Sequence, residues 1–252
     1  MLRMNLIKMI EMMGAGGFYL YLCRRWGINP IPIKVPIFGK IRTFHELRNI
    51  FDNFGIRGQL KDKKIEQYLS KRQKPCVIDC GVNVGITVRW WFHLNRKTKV
   101  FGVDMIEEAH IFTAQAIKSI GIAQESYKPI QAALWSENGK QFKVGIGDPL
   151  HGDHGFFRGD YKGKSERLFT SQTLDSIFAT EELDEIDLLK IDLEGAGAET
   201  LRGATQLLRR TKHVVIELHS EEESKLASKI LVGNQFLLRK IASRNLWWEK
   251  SE

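Results

Sequence analysis

From Pro75 onward, short apolar runs alternate with amphipathic stretches, the rhythm of strands and helices taken in turn. CVIDCG (76–81) predicts a buried strand, VGITVRWWFHL (84–94) a helix, KVFGVD (99–104) a second strand, EEAHIFTAQAIKSIG (107–121) a helix ended by glycine, and YKPIQAALW (127–135) a third strand. LDEIDLLKIDLEG (183–195), GAETLRGATQLLRR (197–210), KHVVIELHS (212–220) and EESKLASKILV (222–232) continue the alternation. NQFLLRKIASRNLWWEK (234–250) reads as two strands joined by a short turn. Parallel strands need crossovers that pack on the faces of their sheet, so this order predicts an α/β fold. The sheet should be Rossmann-like and doubly wound, mostly parallel, with a C-terminal antiparallel strand pair.

Upstream the pattern is irregular. INPIPIKVPIFG (28–39) holds three of the six prolines and reads as an extended connector. FHELRNIFDNFG (44–55) spaces Phe44, Leu47, Ile50, Phe51 and Phe54 as one helix face, with Gly55 as the stop. The chain thus divides into a mostly helical N-terminal arm or cap over 1–70 and one α/β domain over 71–252.

Composition narrows the class. With 252 residues, 43% of them hydrophobic and 27% charged, the chain is neither disordered throughout nor a short disulfide scaffold. Cys23, Cys76 and Cys80 form no C-x-x-C and read as reduced thiols. The apolar run GAGGFYLYLC (14–23) is ten residues long, half of the roughly 20 that a bilayer requires. Glu11 before it, Arg24 and Arg25 after it, and the lack of a small-residue cleavage site speak against a secretory leader. The expectation is a cytoplasmic chain without a transmembrane segment; weak contact with a membrane surface and oligomerisation through the arm stay open. The net charge of +8 attracts nucleic acid, a membrane surface or a phosphate-linked substrate alike, and a merely soluble basic chain carries it equally well.

The most informative segment is Val77-Ile78-Asp79-Cys80-Gly81-Val82-Asn83-Val84-Gly85, which ends a strand and opens a helix. Ligands of open parallel sheets bind beyond the carboxyl ends of the strands, where glycine admits close backbone approach. The spacing D-x-G-x-N-x-G is neither the dinucleotide fingerprint nor a P-loop. Asp104, 23 residues after Gly81 at the end of the second strand, is placed to accept ribose hydroxyls. That combination suits a nucleoside carrying an amino-acid tail, such as S-adenosylmethionine, although a purely structural glycine turn is the plain alternative.

At this point the chain resembles the FkbM-type S-adenosylmethionine-dependent methyltransferases. VIDCGVNVGIT (77–87) resembles their cofactor loop, and QAALWSENGKQFKV (131–144) their third-strand segment with its hairpin. TLDSIF (173–178), DLLKIDLEGAGAETLRGA (187–204) and IELH (216–219) are similar to the family's most distinctive stretch, and IRTFHELRNIF (41–51) to its upstream arm. The resemblance implies a class I methyltransferase fold, S-adenosylmethionine as cofactor with S-adenosylhomocysteine as product, and a small-molecule or glycan hydroxyl acceptor, free or phosphate- or lipid-linked. It places Asp79, Gly81, Asn83, Gly85, Asp104, Met105 and Ala133 at the cofactor. The chain departs from the family in carrying Asp104-Met105 for Glu-Pro, and Gly197 for the second glutamate of Glu-Gly-Ala-Glu.

Transfer of a methyl group from a sulfonium to a hydroxyl needs alignment and removal of one proton. Asp192 and Glu194, ending the fourth parallel strand, and His219, ending the fifth, are the catalytic candidates. Helix capping, acceptor binding and structural hydrogen bonding are their respective alternatives. Lys190 lies on the same strand face as Asp192 and should pair with a carboxylate in the interior. GIGDPLHGDHGFFRGDYKGK (145–164), glycine-rich and without period, suits an acceptor lid with His151, His154, Arg158 and Tyr161 facing the substrate. His151 and His154 around Asp153 lack the spacing of a zinc site, so no metal is expected there. Trp90 and Trp91 read as core. Two rival functions are a nucleic-acid methyltransferase, which the absence of D-P-P-Y after the fourth strand disfavours, and a non-catalytic cofactor-binding module of the same fold.

Overall fold

The computed structural model describes residues 18–19, 22–23, 25–26, 33–55, 58–147, 150 and 165–251. In chain order these form β1 (Ile33–Val35), β2 (Gly39–Ile41), α1 (Phe44–Phe54), α2 (Lys63–Lys71), β3 (Cys76–Cys80), α3 (Ile86–Leu94), β4 (Lys99–Asp104), α4 (Glu107–Ser119), β5 (Tyr127–Gln131), β6 (Ala133–Leu134), β7 (Gln141–Ile146) and β8 (Ser165–Gln172). They continue as α5 (Leu174–Ile177), β9 (Leu188–Ile191), α6 (Gly197–Arg202), α7 (Thr205–Arg209), β10 (His213–Glu217), α8 (Glu221–Gly233), β11 (Phe236–Ala242) and β12 (Asn245–Lys250).

The main sheet has seven strands in the order β11-β12-β10-β9-β3-β4-β5. β10, β9, β3, β4 and β5 run parallel, and β12 and β11 close the edge antiparallel, as the sequence predicts. Alternation along each strand sends successive side chains to opposite faces. Val77, Val100, Leu188 and Val215 join one buried cluster with Trp91 and Phe92. Their neighbours Ile78, Phe101, Leu189 and Ile216 join a second with Leu201, Leu207 and Leu231.

Several expectations change. The strand expected over 127–135 is two: Ala132 donates its N–H to the Asp104 carbonyl, and β6 leaves to pair with β8 in a separate sheet with β7. The helix expected over 197–210 breaks at Gly203, where a Cβ would stand 2.6 Å from the Trp135 carbonyl oxygen. The connector over 28–39 ends in a hairpin, because Ile37 (φ 71°) and Gly39 (φ 69°) turn β1 onto β2. Val35, Phe38, Ile41, Leu47 and Phe54 of the arm share the first cluster, and Phe54 stacks on Trp90 at 4.6 Å, so arm and sheet are packed on one core. Trp90 and Trp91 are core, as expected. No helix among the described residues is long and apolar enough to cross a membrane.

Candidate functional site

β3 delivers the chain into the glycine turn at the carboxyl edge of the sheet. Gly81 (φ 82°), Asn83 (φ 50°) and Gly85 (φ 66°) all adopt left-handed backbone. Gly81 is required twice over, because a Cβ there would stand 1.9 Å from the Asp192 carbonyl oxygen. The Asn83 N–H donates to Asp104 Oδ2 at 3.0 Å and the Ile106 N–H to Oδ1 at 2.9 Å, so the second strand's carboxylate is oriented by the turn itself. Asn83 Oδ1 is enclosed and has no hydrogen-bond partner.

Asp79, expected at the cofactor, is fully buried beneath the turn. Its Oδ1 pairs with Lys190 Nζ at 3.0 Å, while Oδ2 accepts from Thr87 Oγ1 at 2.6 Å and Trp91 Nε1 at 2.9 Å. Lys190 reaches on to the Gly81 carbonyl at 2.7 Å and Asp192 Oδ2 at 3.7 Å. Burial works against its charge, but Asp79 and then Asp192 prevail and hold its pKa above the ordinary lysine value. The interior pairing expected of Lys190 is therefore present, and Asp79 acts on the turn from below. Burial also pushes the Cys76 thiol up to about 12. Cys80, registered against Ile191 in the sheet, is fully buried and its thiol is raised by the same cause.

The arm clamps the turn from the other side, which the sequence reading missed. Thr43 caps α1 in a capping box with Glu46, whose Oε2 also accepts from the Arg42 N–H at 2.6 Å. Glu46 Oε1 accepts from Arg89 Nη2 at 2.7 Å, and both side chains are 0% exposed. Arg89 further donates to the carbonyls of Val84 (3.0 Å), Phe38 (2.8 Å) and Gly85 (3.2 Å), tying arm hairpin, arm helix and turn together. His45 Nε2 meets Asn83 Nδ2 at 2.9 Å. The visible signal was T-x-x-E at 43–46, a helix-start signature whose glutamate has a second oxygen to offer.

At the ends of β9 and β10 the three catalytic candidates do come together. His219 Nδ1 lies 3.6 Å from Glu194 Oε2, and a carboxylate oxygen of Asp192 comes within 4.8 Å of a His219 ring nitrogen. The structure adds Glu217, which no sequence argument had singled out. Glu217 and His219 share a strand face by the same two-residue period that aligns Lys190 with Asp192. Burial, then the nearby Asp192, push the Glu217 carboxyl up to about 7, although Arg244 Nη2, 3.0 Å away, favours its charged form. Glu223 holds the cluster in place, accepting from the Gly197 N–H at 2.9 Å and the His219 N–H at 2.8 Å. A Cβ on Gly197 would stand 3.0 Å from Ile216 and 3.1 Å from Glu223, so the Glu223 carboxylate is packed directly against this glycine. Beside the cluster opens a cavity of about 470 Å³, lined by Glu194, Glu199, His219, Glu222, Glu223 and Arg244 among others.

Met105 is half-buried against Ile106, Ala109, Val144 and Ile146, and Ala133 is buried in β6. His151, His154, Arg158 and Tyr161 lie outside the described residues.

The family described as "Methyltransferase FkbM domain" matches residues 79–241. No curated protein matches the chain. Among solved structures, the FkbM methyltransferase from Methylobacillus flagellatus is 13% identical, with a TM-score of 0.49 over 92% of this chain and 70% of that one. An rRNA methylase from Streptococcus thermophilus is 14% identical, with a TM-score of 0.45 over 74% of this chain and 94% of that one. Aeropyrum pernix fibrillarin with natively bound S-adenosyl-L-methionine is 10% identical, with a TM-score of 0.43 over 71% and 66%.

Proposed function

The chain belongs to the FkbM methyltransferase family, and from that premise we propose that this S-adenosylmethionine-dependent methyltransferase acts on a hydroxyl of a small sugar-like or natural-product acceptor. The observation that carries the acceptor class is the cavity of about 470 Å³ opening on Glu194 and His219. It has the size of a small-molecule site. Glu194, Glu199, Glu222 and Glu223 line it against Arg244 alone. A phosphate backbone would be repelled there, whatever the +8 net charge of the whole chain attracts at longer range.

The turn fits the cofactor. Each oxygen of Asp104 accepts one backbone N–H in the structure, and a carboxylate oxygen has capacity for a second donor, which leaves two acceptors for the two hydroxyls of a ribose. Asn83 Oδ1, enclosed without a partner, is one more acceptor awaiting a donor. When bound, S-adenosylmethionine supplies a methyl group on positively charged sulfur. On this reading Gly81, Asn83 and Gly85 present backbone to it, Asp104 holds its ribose, and Met105 and Ala133 flank its base. Asp79 is a positioning residue, fixing the turn through Thr87, Trp91 and Lys190. Asp192, Glu194 and His219 orient the acceptor hydroxyl and take its proton.

The arm over 1–70 serves as a clamp on the domain over 71–252, supported by the Glu46–Arg89 and His45–Asn83 contacts. Most of the acceptor lid expected over 145–164 lies outside the described residues. Three free thiols suit a reducing, cytoplasmic compartment.

Asp104→Ala is expected to weaken S-adenosylmethionine binding at least about tenfold in calorimetry, the loss of one or more charge-assisted hydrogen bonds, with the fold intact. Unchanged affinity would remove Asp104 from the ribose. With a labelled methyl donor and a panel of sugars beside RNA, label should appear on a sugar hydroxyl. On that acceptor Asp192→Asn and Glu194→Gln should lose turnover far more than cofactor affinity; label on RNA only, or full activity in both variants, sinks the assignment.

A further inference from the structure

The ends of β9 and β10 place one ligating atom each from Asp192, Glu217 and His219 within 4.8 Å of one another. Donors facing each other across a divalent cation stand roughly 4–5 Å apart, twice the length of a metal–oxygen or metal–nitrogen bond. Two carboxylates and an imidazole are ligands that such ions share.

Two independent observations point the same way. His219 Nε2 is enclosed and has no hydrogen-bond partner among the described residues, in a side chain only 13% exposed. A ring nitrogen left so within a polar cluster is explained by a ligand that the cluster takes up. The second observation is charge. Among the described residues, Lys190 and Arg244 are the cations in ion-pair contact with Asp79, Asp192 and Glu217. Lys190 sits closer to Asp79, at 3.0 Å, than to Asp192, at 3.7 Å. Arg244 engages Glu217 through Oε1 and leaves the second oxygen to ligate. Asp79 and Asp192 thus divide one lysine between them, which leaves Asp192 less than fully compensated.

We propose that Asp192, Glu217 and His219 bind one divalent cation, which takes the acceptor hydroxyl as a further ligand. The chemistry, though not the binding, rests on the hydroxyl-acceptor reading above. The hydroxyl oxygen gives a lone pair to the cation, its O–H bond weakens, and the proton passes to the Glu194 carboxylate while the bonding pair stays on oxygen. Glu223, holding the His219 backbone at 2.8 Å, is then a positioning residue for the imidazole ligand.

The test uses Mn²⁺ as probe on the whole chain stripped with a chelator. Titration followed by electron paramagnetic resonance should show one tightly bound Mn²⁺ per chain, with nitrogen hyperfine coupling from an imidazole in the pulsed spectrum. His219→Gln should abolish that coupling and Glu217→Gln weaken binding at least about tenfold, both keeping the S-adenosylmethionine affinity of the parent. The coupling in the unmodified protein stands as a readout if either variant fails to fold. No saturable binding up to about 1 mM, binding without nitrogen coupling, or unchanged binding in both folded variants would overturn the site. The hydroxyl reading fails separately: label recovered on nitrogen rather than oxygen, with Mn²⁺ bound, refutes the ion's role in deprotonation while leaving the ligands as assigned.

Discussion

Glu46→Ala should lower the stability of the chain by about 3–5 kcal/mol, because it strands the Arg89 guanidinium in an interior where its counter-charge has been removed. Burial already draws the Arg89 pKa down from its ordinary value, with Glu46 as the main opposing influence. In a chain of this size the loss corresponds to a fall in Tm of roughly 10 °C. The same change frees the Arg42 and Thr43 N–H groups that Glu46 Oε2 satisfies, so α1 should fray at its start. S-adenosylmethionine affinity should fall too, since Arg89 holds the carbonyls of Val84 and Gly85. Thermal unfolding and calorimetry measure both. A double variant, Glu46→Leu with Arg89→Met, removes both charges and should recover much of the stability but not the backbone contacts that order the turn. A single variant as stable as the parent would show that the clamp carries no weight.

Gly81→Ala is the second large effect. The left-handed φ of 82° costs a residue with a Cβ about 1–2 kcal/mol. The contact of 1.9 Å with the Asp192 carbonyl oxygen falls on backbone rather than on a flexible side chain, and relieving it adds about 1–3 kcal/mol. The relief must part β3 from the turn after β9, because the Asp192 N–H is bonded to the Cys80 carbonyl at 3.0 Å. That shift moves the Asp192 carboxylate, and a displacement near 1 Å costs about a hundredfold in rate. Turnover should therefore fall further than stability alone explains at a temperature where the variant is folded. Parent-like kinetics at 25 °C would mean that the turn and the Asp192 carboxylate move independently.

Much of the fold was legible because strand and helix periods are local properties. The run VIDC announces a buried strand, Lys190 and Asp192 share a face by alternation, and the C-terminal hairpin forms as read. Chain breaks that depend on distant partners were not legible. Nothing within 127–135 says that Ala133 will pair with Ser171, and nothing within 197–210 says that the Trp135 carbonyl will press against Gly203. The same divide runs through the site. That Gly81, Asn83, Gly85 and Asp104 form one turn was legible because the turn is written in consecutive residues and one spacing. Asp79 was expected at the cofactor, but its 0% exposure and its bonds to Lys190, Thr87 and Trp91 put it beneath the loop.

By itself the amino-acid order determined the alternation of strands and helices and the glycine turn at the carboxyl edge of the sheet. Each follows from backbone conformational preference and side-chain period within a window of a few turns. The tertiary structure decided which charges face one another: Glu46 with Arg89, Asp79 with Lys190, and Asp192 with Glu217 and His219. Those partners lie 25 to 111 residues apart and meet only through the packing of the arm on the domain and the parallel pairing of distant strands. Coulomb energy depends on distance and on exclusion of water, neither of which a linear spacing contains.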